Sequence, residues 1–449
     1  MSERKLIVIG GDAAGMTAAS KIRREQPERE IIVFERGHHT SYAACGIPYY
    51  IAGQVKSEED LIARKPEVFR EKQNIDVRIR HEVIEIDAAK KQVKVKDIEK
   101  DEVYSETWDD LLIATGASAV KPDLPGINAK GVFALSSLQS GIDVFNYMKK
   151  NNPEKALIVG GGYIGIEMAE ALLDRDMDVT LIDMAPQVMT TMDKDMAELI
   201  LEFMKKEGIK VFPEEKLSGF EKDAEGKIKS VVTDKQNHPA DLVILGMGVK
   251  PNSELAAAAG VKLGAGNAIC VKKDLATSVP HIWAAGDCAE SYHLLKKQQV
   301  FVPLGTVANK HGQVAGINIS GGKAEFPGVL GTAITKFRKL EISRTGLSER
   351  EAKELGLDYK SNTIEATTLS SYYPGTGKMS VKLVIEKGTG RILGGQIVGT
   401  SGSAKRIDTI ATAITGNMTV QNLVDMDLSY APPFSPVWDP VQIAARTLL

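Results

Sequence analysis

Two stretches of the chain share one order of apolar and polar positions. A short unbroken apolar run leads into a glycine turn, an amphipathic helix and a second apolar run ending on a carboxylate. In the first stretch, Leu6-Ile7-Val8-Ile9 reads as a strand buried on both faces, since nothing polar interrupts it. Gly10-Gly11-Asp12-Ala13-Ala14-Gly15 follows, then a helix from Met16 to Arg24 and a strand Glu30-Ile31-Ile32-Val33-Phe34 ending at Glu35. In the second, Ala156-Leu157-Ile158-Val159 leads into Gly160-Gly161-Gly162-Tyr163-Ile164-Gly165. Its helix runs through Glu167 to about Leu173, and Val179-Thr180-Leu181-Ile182 ends at Asp183. Each is a βαβ unit with an acidic residue roughly 20 positions beyond its glycines, the arrangement that binds a dinucleotide.

Trp108-Asp109-Asp110-Leu111-Leu112-Ile113-Ala114-Thr115-Gly116 predicts a strand running into a Thr-Gly turn. Residues 277–287 predict another, ending in Gly286-Asp287. Both segments close the first nucleotide unit. The second unit lies between them, so one nucleotide domain is inserted into the other. After Gly322 the period changes to two, as in Met379-Ser380-Val381-Lys382-Leu383-Val384-Ile385 and in the run from Ile392 to Gly399, which predicts an antiparallel sheet. Helical patterns follow over 403–414 and 419–425. The fold class is α/β: two Rossmann-like dinucleotide-binding domains plus a C-terminal α+β domain.

Composition narrows the function classes. At 449 residues the chain holds roughly three domains. Hydrophobic content of 43% and charged content of 26% are ordinary for a soluble globular protein. A net charge of -3 gives no general attraction to nucleic acid or to an anionic membrane, so a polyanionic ligand needs a local basic pocket. The odd count of 3 cysteines fits a reducing cytoplasm. Met1-Ser2-Glu3-Arg4-Lys5 leads directly into the first strand with no signal-peptide core, and no run of about 18 apolar residues predicts a membrane span. His281 and the other histidines show no metal-ligand spacing, so no metal is expected.

The glycines let backbone approach a pyrophosphate, which the positive end of the following helix stabilises. Glu35 and Asp183 then accept hydrogen bonds from the ribose hydroxyls. Asp12 replaces the middle glycine of the first turn and brings a carboxylate beside the pyrophosphate. Asp183 suits the free 2′-hydroxyl of NADH and repels the 2′-phosphate of NADPH, and Met184 beside it offers no compensating cation. NADH is therefore expected to be preferred, with NADPH possible. Cys45, in Ser41-Tyr42-Ala43-Ala44-Cys45-Gly46-Ile47-Pro48-Tyr49, has no second cysteine near it in sequence. Such a thiol beside a redox cofactor pairs with an outside group: a small thiol, a persulfide sulfur or an oxygen atom.

With Thr115-Gly116, Ala285-Gly286-Asp287 and the C-terminal α+β pattern, the whole chain resembles the pyridine nucleotide-disulfide oxidoreductases. The single cysteine is similar to that of the branch holding coenzyme A disulfide reductase, NADH oxidase, NADH peroxidase and NAD(P)H-dependent persulfide or polysulfide reductases. The resemblance implies an FAD-binding domain over 1–115 and 252–325, an NAD(P)H-binding domain over 116–251, and a dimerisation domain over 326–449. It implies FAD at Gly10, Asp12, Ala14, Gly15, Glu35, Arg36, Thr115, Gly116 and Asp287. NAD(P)H falls to Gly160, Gly162, Gly165 and Asp183, with Tyr163 as an aromatic gate over the flavin and Glu167 near the nicotinamide. Tyr372-Tyr373-Pro374-Gly375 and Tyr430-Ala431-Pro432-Pro433-Phe434-Ser435 resemble segments whose tyrosines reach the partner's cysteine in a homodimer. That role maps onto Tyr372 and Tyr430. Thr17, Lys21, Arg24, Ser41 and Lys72 are the carried-over contacts to coenzyme A. Tyr42 and Ala44 depart from the Phe and Asn frequent in the family, which leaves the acceptor open. Cys270 and Cys288 are read as structural.

The implied cycle passes hydride from NADH through FAD to a sulfur bond at Cys45, held at rest as a mixed disulfide with coenzyme A. The rival within the branch is oxygen or peroxide reduction through a Cys45 sulfenic acid. A sulfane-sulfur substrate suits the cysteine equally, although no cysteine-bearing sulfur-transfer domain follows Leu449. A rival of another class is an NADH-responsive interaction module or electron-carrier reductase, which would not need Cys45.

Overall fold

The computed structural model describes residues 4–449 and divides into two compact units. One takes in the chain up to Val120 together with Leu135–Asn146 and Val249–Val329. Its core is a five-stranded parallel sheet in the order Ile282–Ala284, Asp110–Ile113, Lys5–Ile9, Glu30–Glu35, Asp76–Ile79. Leu6, Ile7 and Val8 are completely buried in the central strand, as an unbroken apolar run requires. Against this sheet runs the helix Ala13–Glu25, which packs closely on the helix Gly305–Ile319. A Cβ at Gly312 would stand 2.4 Å from Ala14 O, so the approach of these helices depends on that glycine.

The other unit contains Lys121–Ala134, Tyr147–Gly248 and Leu330–Leu449. It repeats the parallel sheet, in the order Lys210–Phe212, Asp178–Ile182, Lys155–Val159, Leu242–Leu245, Val132–Ala134. It also holds the C-terminal antiparallel sheet, ordered Ala333–Phe337, Leu340–Gly346, Ile392–Gly399, Lys378–Glu386, Tyr359–Thr367. The first parallel sheet draws its strands from both sides of the second in sequence, so the predicted insertion is present.

Several boundaries differ from the expectation. The first helix begins at Ala13 rather than Met16, which puts Gly15 inside its opening turn. The predicted strand over 277–287 shrinks to Ile282–Ala284. Ahead of it Thr277 Oγ1 accepts from Val279 N–H, Pro280 has no N–H to give, and His281 turns to φ 62°. The helix predicted over 403–414 opens as the 3₁₀ turn Ala404–Arg406 before Ile407–Thr415. Two antiparallel sheets had no sequence expectation: His81–Asp87 with Gln92–Asp97 and Glu102–Thr107, and Leu217–Lys222 with Ile228–Thr233 and Asn237–Pro239.

Candidate active site

The two glycine turns are built from the same bonds. At the first, Gly10 N–H donates to Phe34 O at 2.8 Å and Gly11 N–H to Glu35 Oε2 at 2.8 Å. At the second, Gly160 N–H donates to Ile182 O at 2.8 Å and Gly161 N–H to Asp183 Oδ2 at 2.6 Å. The remaining carboxylate oxygens accept from Gly37 N–H at 2.6 Å and Ala185 N–H at 2.8 Å. Both acidic residues are thus oriented by backbone on either side. Gly10 at φ 110° and Gly160 at φ 102° hold conformations that side chains avoid. A Cβ there would come within 2.1 Å of Ala114 O or 2.4 Å of Gly246 O. A Cβ on Gly162 would meet nothing within 4 Å, so this turn leaves the space a pyrophosphate needs.

Asp12 caps the first helix by position but gives its side chain elsewhere: Oδ1 accepts from Tyr42 N–H at 3.1 Å. Burial pushes its carboxyl up to about 7; the charges of Glu35 and Asp287 add to this, and the Tyr42 N–H opposes it. Burial likewise pushes Asp287 up to about 6, and its Oδ1 is buried with no hydrogen-bond partner. An orphaned buried acceptor is costly, and the hydroxyl groups along the ribityl chain of a flavin dinucleotide would satisfy it by donating to it, so the residues present fit FAD. Thr115 Oγ1 donates to Asn252 O at 2.6 Å, and Gly116, at φ 68°, faces open space. His311 went unnoticed in the sequence. It is fully buried on the helix Gly305–Ile319, and Gly286 N–H donates to its Nδ1 at 3.4 Å while Nε2 pairs with Ser291 Oγ at 3.3 Å. Burial lowers its pKa to about 4, so a neutral imidazole supports the Gly286-Asp287 turn. Its signal was a single histidine among Val307, Ala308 and Ala315, too common a pattern to stand out.

Cys45 is exposed on the 3₁₀ turn Ala44–Gly46, immediately before the helix Ile47–Ala52. Ile47, Pro48, Tyr50 and Ile51 anchor that helix in the core, and Gly46 has no room for a side chain, since a Cβ would lie 2.3 Å from Leu61 Cδ2. The segment ahead of the cysteine is tied to the first glycine turn: Ser41 N–H donates to Gly11 O at 3.1 Å, and Tyr42 N–H reaches Asp12. Ser41 adopts φ 47° to make this bend. Cys288 is fully buried, with Sγ near Ile113 O and Ala285 O at 3.4 Å, as a structural cysteine would be.

Thr17, Lys21 and Arg24 follow helical spacing on the first helix, but they are not equivalent. Thr17 Oγ1 donates to Asn309 Oδ1 at 3.0 Å, Lys21 pairs with Glu25 at 2.6 Å, and Arg24 is exposed. A phosphate at Lys21 would have to displace Glu25. Lys72 is exposed on the helix Pro66–Gln73, whose end is joined to the first helix by Arg23 Nη2 donating to Asn74 O at 2.6 Å. Arg36 is exposed beside Glu35.

In the other unit, Tyr163 opens the helix Tyr163–Leu173, and Glu167 lies one turn on. Burial raises both pKa values; Thr191 and Arg344 lie close to the tyrosine, and Thr335 Oγ1 donates to Glu167 Oε1 at 2.7 Å. The two C-terminal tyrosine segments lie side by side. Ser370 N–H donates to Pro432 O at 3.3 Å, and Arg406 Nη2 reaches both Thr368 O and Phe434 O. Tyr372 and Phe434 are each 74% exposed and Tyr430 47%. Among the described residues no group of acidic, histidine and cysteine side chains could hold a metal, and no helix is long and apolar enough to cross a membrane.

The model of the pyridine nucleotide-disulphide oxidoreductases matches residues 4–312, and that of their dimerisation domain matches residues 332–440. The chain is 42% identical over 447 residues to an NAD(P)H coenzyme A polysulfide/persulfide reductase of Pyrococcus horikoshii, covering 99% of this chain and 98% of that protein. It is 37% identical to an NADH oxidase of Methanocaldococcus jannaschii, covering 99% and 98%. The solved structure of an NAD-dependent persulfide reductase from A. fulgidus superposes with a TM-score of 0.95 at 40% identity, covering 99% of this chain and 82% of that one. This chain belongs to the pyridine nucleotide-disulphide oxidoreductase family.

Proposed function

We propose that the protein is an FAD-dependent NAD(P)H oxidoreductase that reduces coenzyme A-bound sulfur, as disulfide, persulfide or polysulfide, through Cys45. The observation that carries this reading is an exposed cysteine on a segment bonded to the first glycine turn. Gly10, Gly15, Glu35, Thr115, Gly116 and Asp287 hold FAD in this reading, and Gly160, Gly162, Gly165 and Asp183 hold NADH. When bound, the flavin supplies two-electron transfer between nicotinamide and sulfur. Cys45 attacks as the thiolate on one sulfur of coenzyme A disulfide, forming a Cys45–coenzyme A disulfide and releasing the other coenzyme A as thiolate. Two electrons and a proton then restore the Cys45 thiolate and free the second coenzyme A as thiol. In a homodimer, Tyr372 and Tyr430 would come from the opposite chain to orient sulfur and donate that proton.

The P. horikoshii relative carries its persulfide name and is matched over 98% of its length, which supports a persulfide or polysulfide acceptor beside the disulfide. The M. jannaschii relative's name favours a second reading, oxygen reduction through a Cys45 sulfenic acid. NADH-driven turnover measured side by side with coenzyme A disulfide, coenzyme A persulfide, peroxide and oxygen separates the two. Faster turnover with a coenzyme A substrate, and a coenzyme A adduct on the purified protein by mass, are expected. Turnover with oxygen or peroxide alone would overturn the proposal.

A further inference from the structure

Lys382 stands mid-strand in the C-terminal sheet with only 3% of its surface exposed. A buried ammonium is costly unless carboxylates face it. Three do so: Asp195 Oδ1 at 2.8 Å, Glu349 Oε2 at 3.0 Å and Asp193 Oδ2 at 3.5 Å. Asp193 is also locked to Gln396 in both directions. Its N–H donates to Gln396 Oε1 at 2.8 Å, and its Oδ2 accepts from Gln396 Nε2 at 2.6 Å. Just before it, Arg344 Nη1 donates to Thr191 O at 2.6 Å; the same guanidinium bonds Gly346 O and Glu351. Burial alone would lower the Lys382 pKa, but the bonds to Asp195 and Glu349 outweigh it and raise the value.

The tethered residues end a loop that starts at Asp183 and folds back on the second glycine turn. Asp183 Oδ2 accepts from Gly161 N–H, Met189 N–H donates to Gly161 O at 2.8 Å, and Val188 leaves no room for a Cβ on Gly161. Tyr163 is held beside the same loop at Thr191.

We propose that Lys382 and Arg344 are positioning residues for the pyridine nucleotide: through them the C-terminal sheet fixes the loop 183–193, and with it Asp183 and Tyr163. The inference rests on reading the second glycine turn as the NAD(P)H site and adds that residues of the dimerisation domain set the affinity of that site.

Two variants test it, read by calorimetric titration of flavin-loaded protein with NAD⁺. In Lys382→Met, the carboxylates of Asp193, Asp195 and Glu349 face one another without a cation, with the Arg344–Glu351 pair beyond them. Repulsion should loosen the loop and weaken NAD⁺ binding about tenfold near neutral pH, equivalent to about 1.4 kcal/mol. The defect should shrink as pH falls and those carboxylates take up protons, a response that simple loss of packing would not give. Arg344→Lys keeps the charge beside Glu351 but cannot also serve Thr191 O and Gly346 O. It should weaken binding several-fold with no such pH dependence. Flavin content should match the parent in both. If Lys382→Met does not fold, Arg344→Lys decides alone. Folded, flavin-loaded variants that bind NAD⁺ within about twofold of a binding-competent parent overturn the clamp. A parent that binds no NAD⁺ overturns the nucleotide reading itself, and the clamp with it.

Discussion

Removing the charge of Asp12 should tighten FAD binding above neutral pH. The carboxyl stands where the glycine fingerprint has a glycine, and burial followed by the nearby charges of Glu35 and Asp287 pushes it up to about 7 against the Tyr42 N–H. A diphosphate brought to this turn disfavours the ionised form further, so binding takes up a proton. Protonating a group of pKa about 7 costs about 1.4 kcal/mol at about pH 8 and almost nothing at about pH 6. The FAD affinity of flavin-free protein should therefore fall about tenfold across that interval. Asp12→Asn keeps the volume and an acceptor for Tyr42 N–H. It should equal the parent at the lower pH and bind about tenfold more tightly at the higher. Stability of the flavin-free protein follows the same sign. A carboxyl raised from 3.8 to about 7 contributes stability that is complete below 3.8 and lost as pH rises through about 7. The variant should flatten that slope. Titration with FAD, followed by quenching of flavin fluorescence, reads the affinities. A flat parent profile, or an Asn variant that keeps the parent's slope, refutes the reasoning.

Asp183→Ser should narrow the preference for NADH over NADPH; equal kcat/KM for the two cofactors in the parent would show that the carboxylate does not reach the ribose. Cys45→Ser should abolish reduction of coenzyme A disulfide or persulfide while leaving stopped-flow reduction of the flavin by NADH intact, because serine supplies no thiolate at neutral pH. Retention of the parent rate would remove Cys45 from the chemistry. A Cys45→Ser chain co-expressed with a Tyr372→Phe/Tyr430→Phe chain should recover activity that neither has alone, since one site of each heterodimer is then intact. Verified heterodimers without recovery, or an active parent monomer, would rule out shared sites.

The two glycine turns were legible because their requirements are local. A glycine at positive φ, a helix start and an acidic residue on the next strand all fall within one βαβ unit, and in the structure Gly10 and Gly160, like Glu35 and Asp183, make matching bonds. Element ends were less legible because they turn on single residues. The turn at Thr277 and the positive φ of His281 stop a run that apolar pattern alone would extend. The strand Gln92–Asp97 does alternate, with Val93 and Val95 completely buried beside more exposed Lys94, but it is short and its flanks are rich in charge. Of the coenzyme A contacts implied by resemblance, Thr17, Lys21 and Arg24 lie on one helix, but the resemblance could not show that Glu25 already holds Lys21.

The C-terminal sheet shows where pattern reading fails for a physical reason. Alternation in Met379-Ser380-Val381-Lys382-Leu383 implies one wet face, and the strands are indeed antiparallel, but Ser380, Lys382 and Gln396 are buried with the rest. A polar residue at every second position marks solvent only if nothing else covers that face. Here the helix Lys194–Lys206 packs on the strand Ile392–Gly399, and Asp193 and Asp195 at its start supply two of the three carboxylates, with Glu349 the third. The partner that makes Lys382 tolerable, Asp195, is 187 positions away in sequence. A lysine in an alternating strand is ordinarily a solvated side chain, so nothing near it distinguishes this one. Its compensation is non-local, and so is its proposed consequence, because Asp193 of the same carboxylate cluster ends the loop that begins at Asp183, the residue proposed to meet the ribose. Local motifs therefore identify which ligand a turn can take, whereas the charges that hold the turn in place are visible only once distant strands have been brought together.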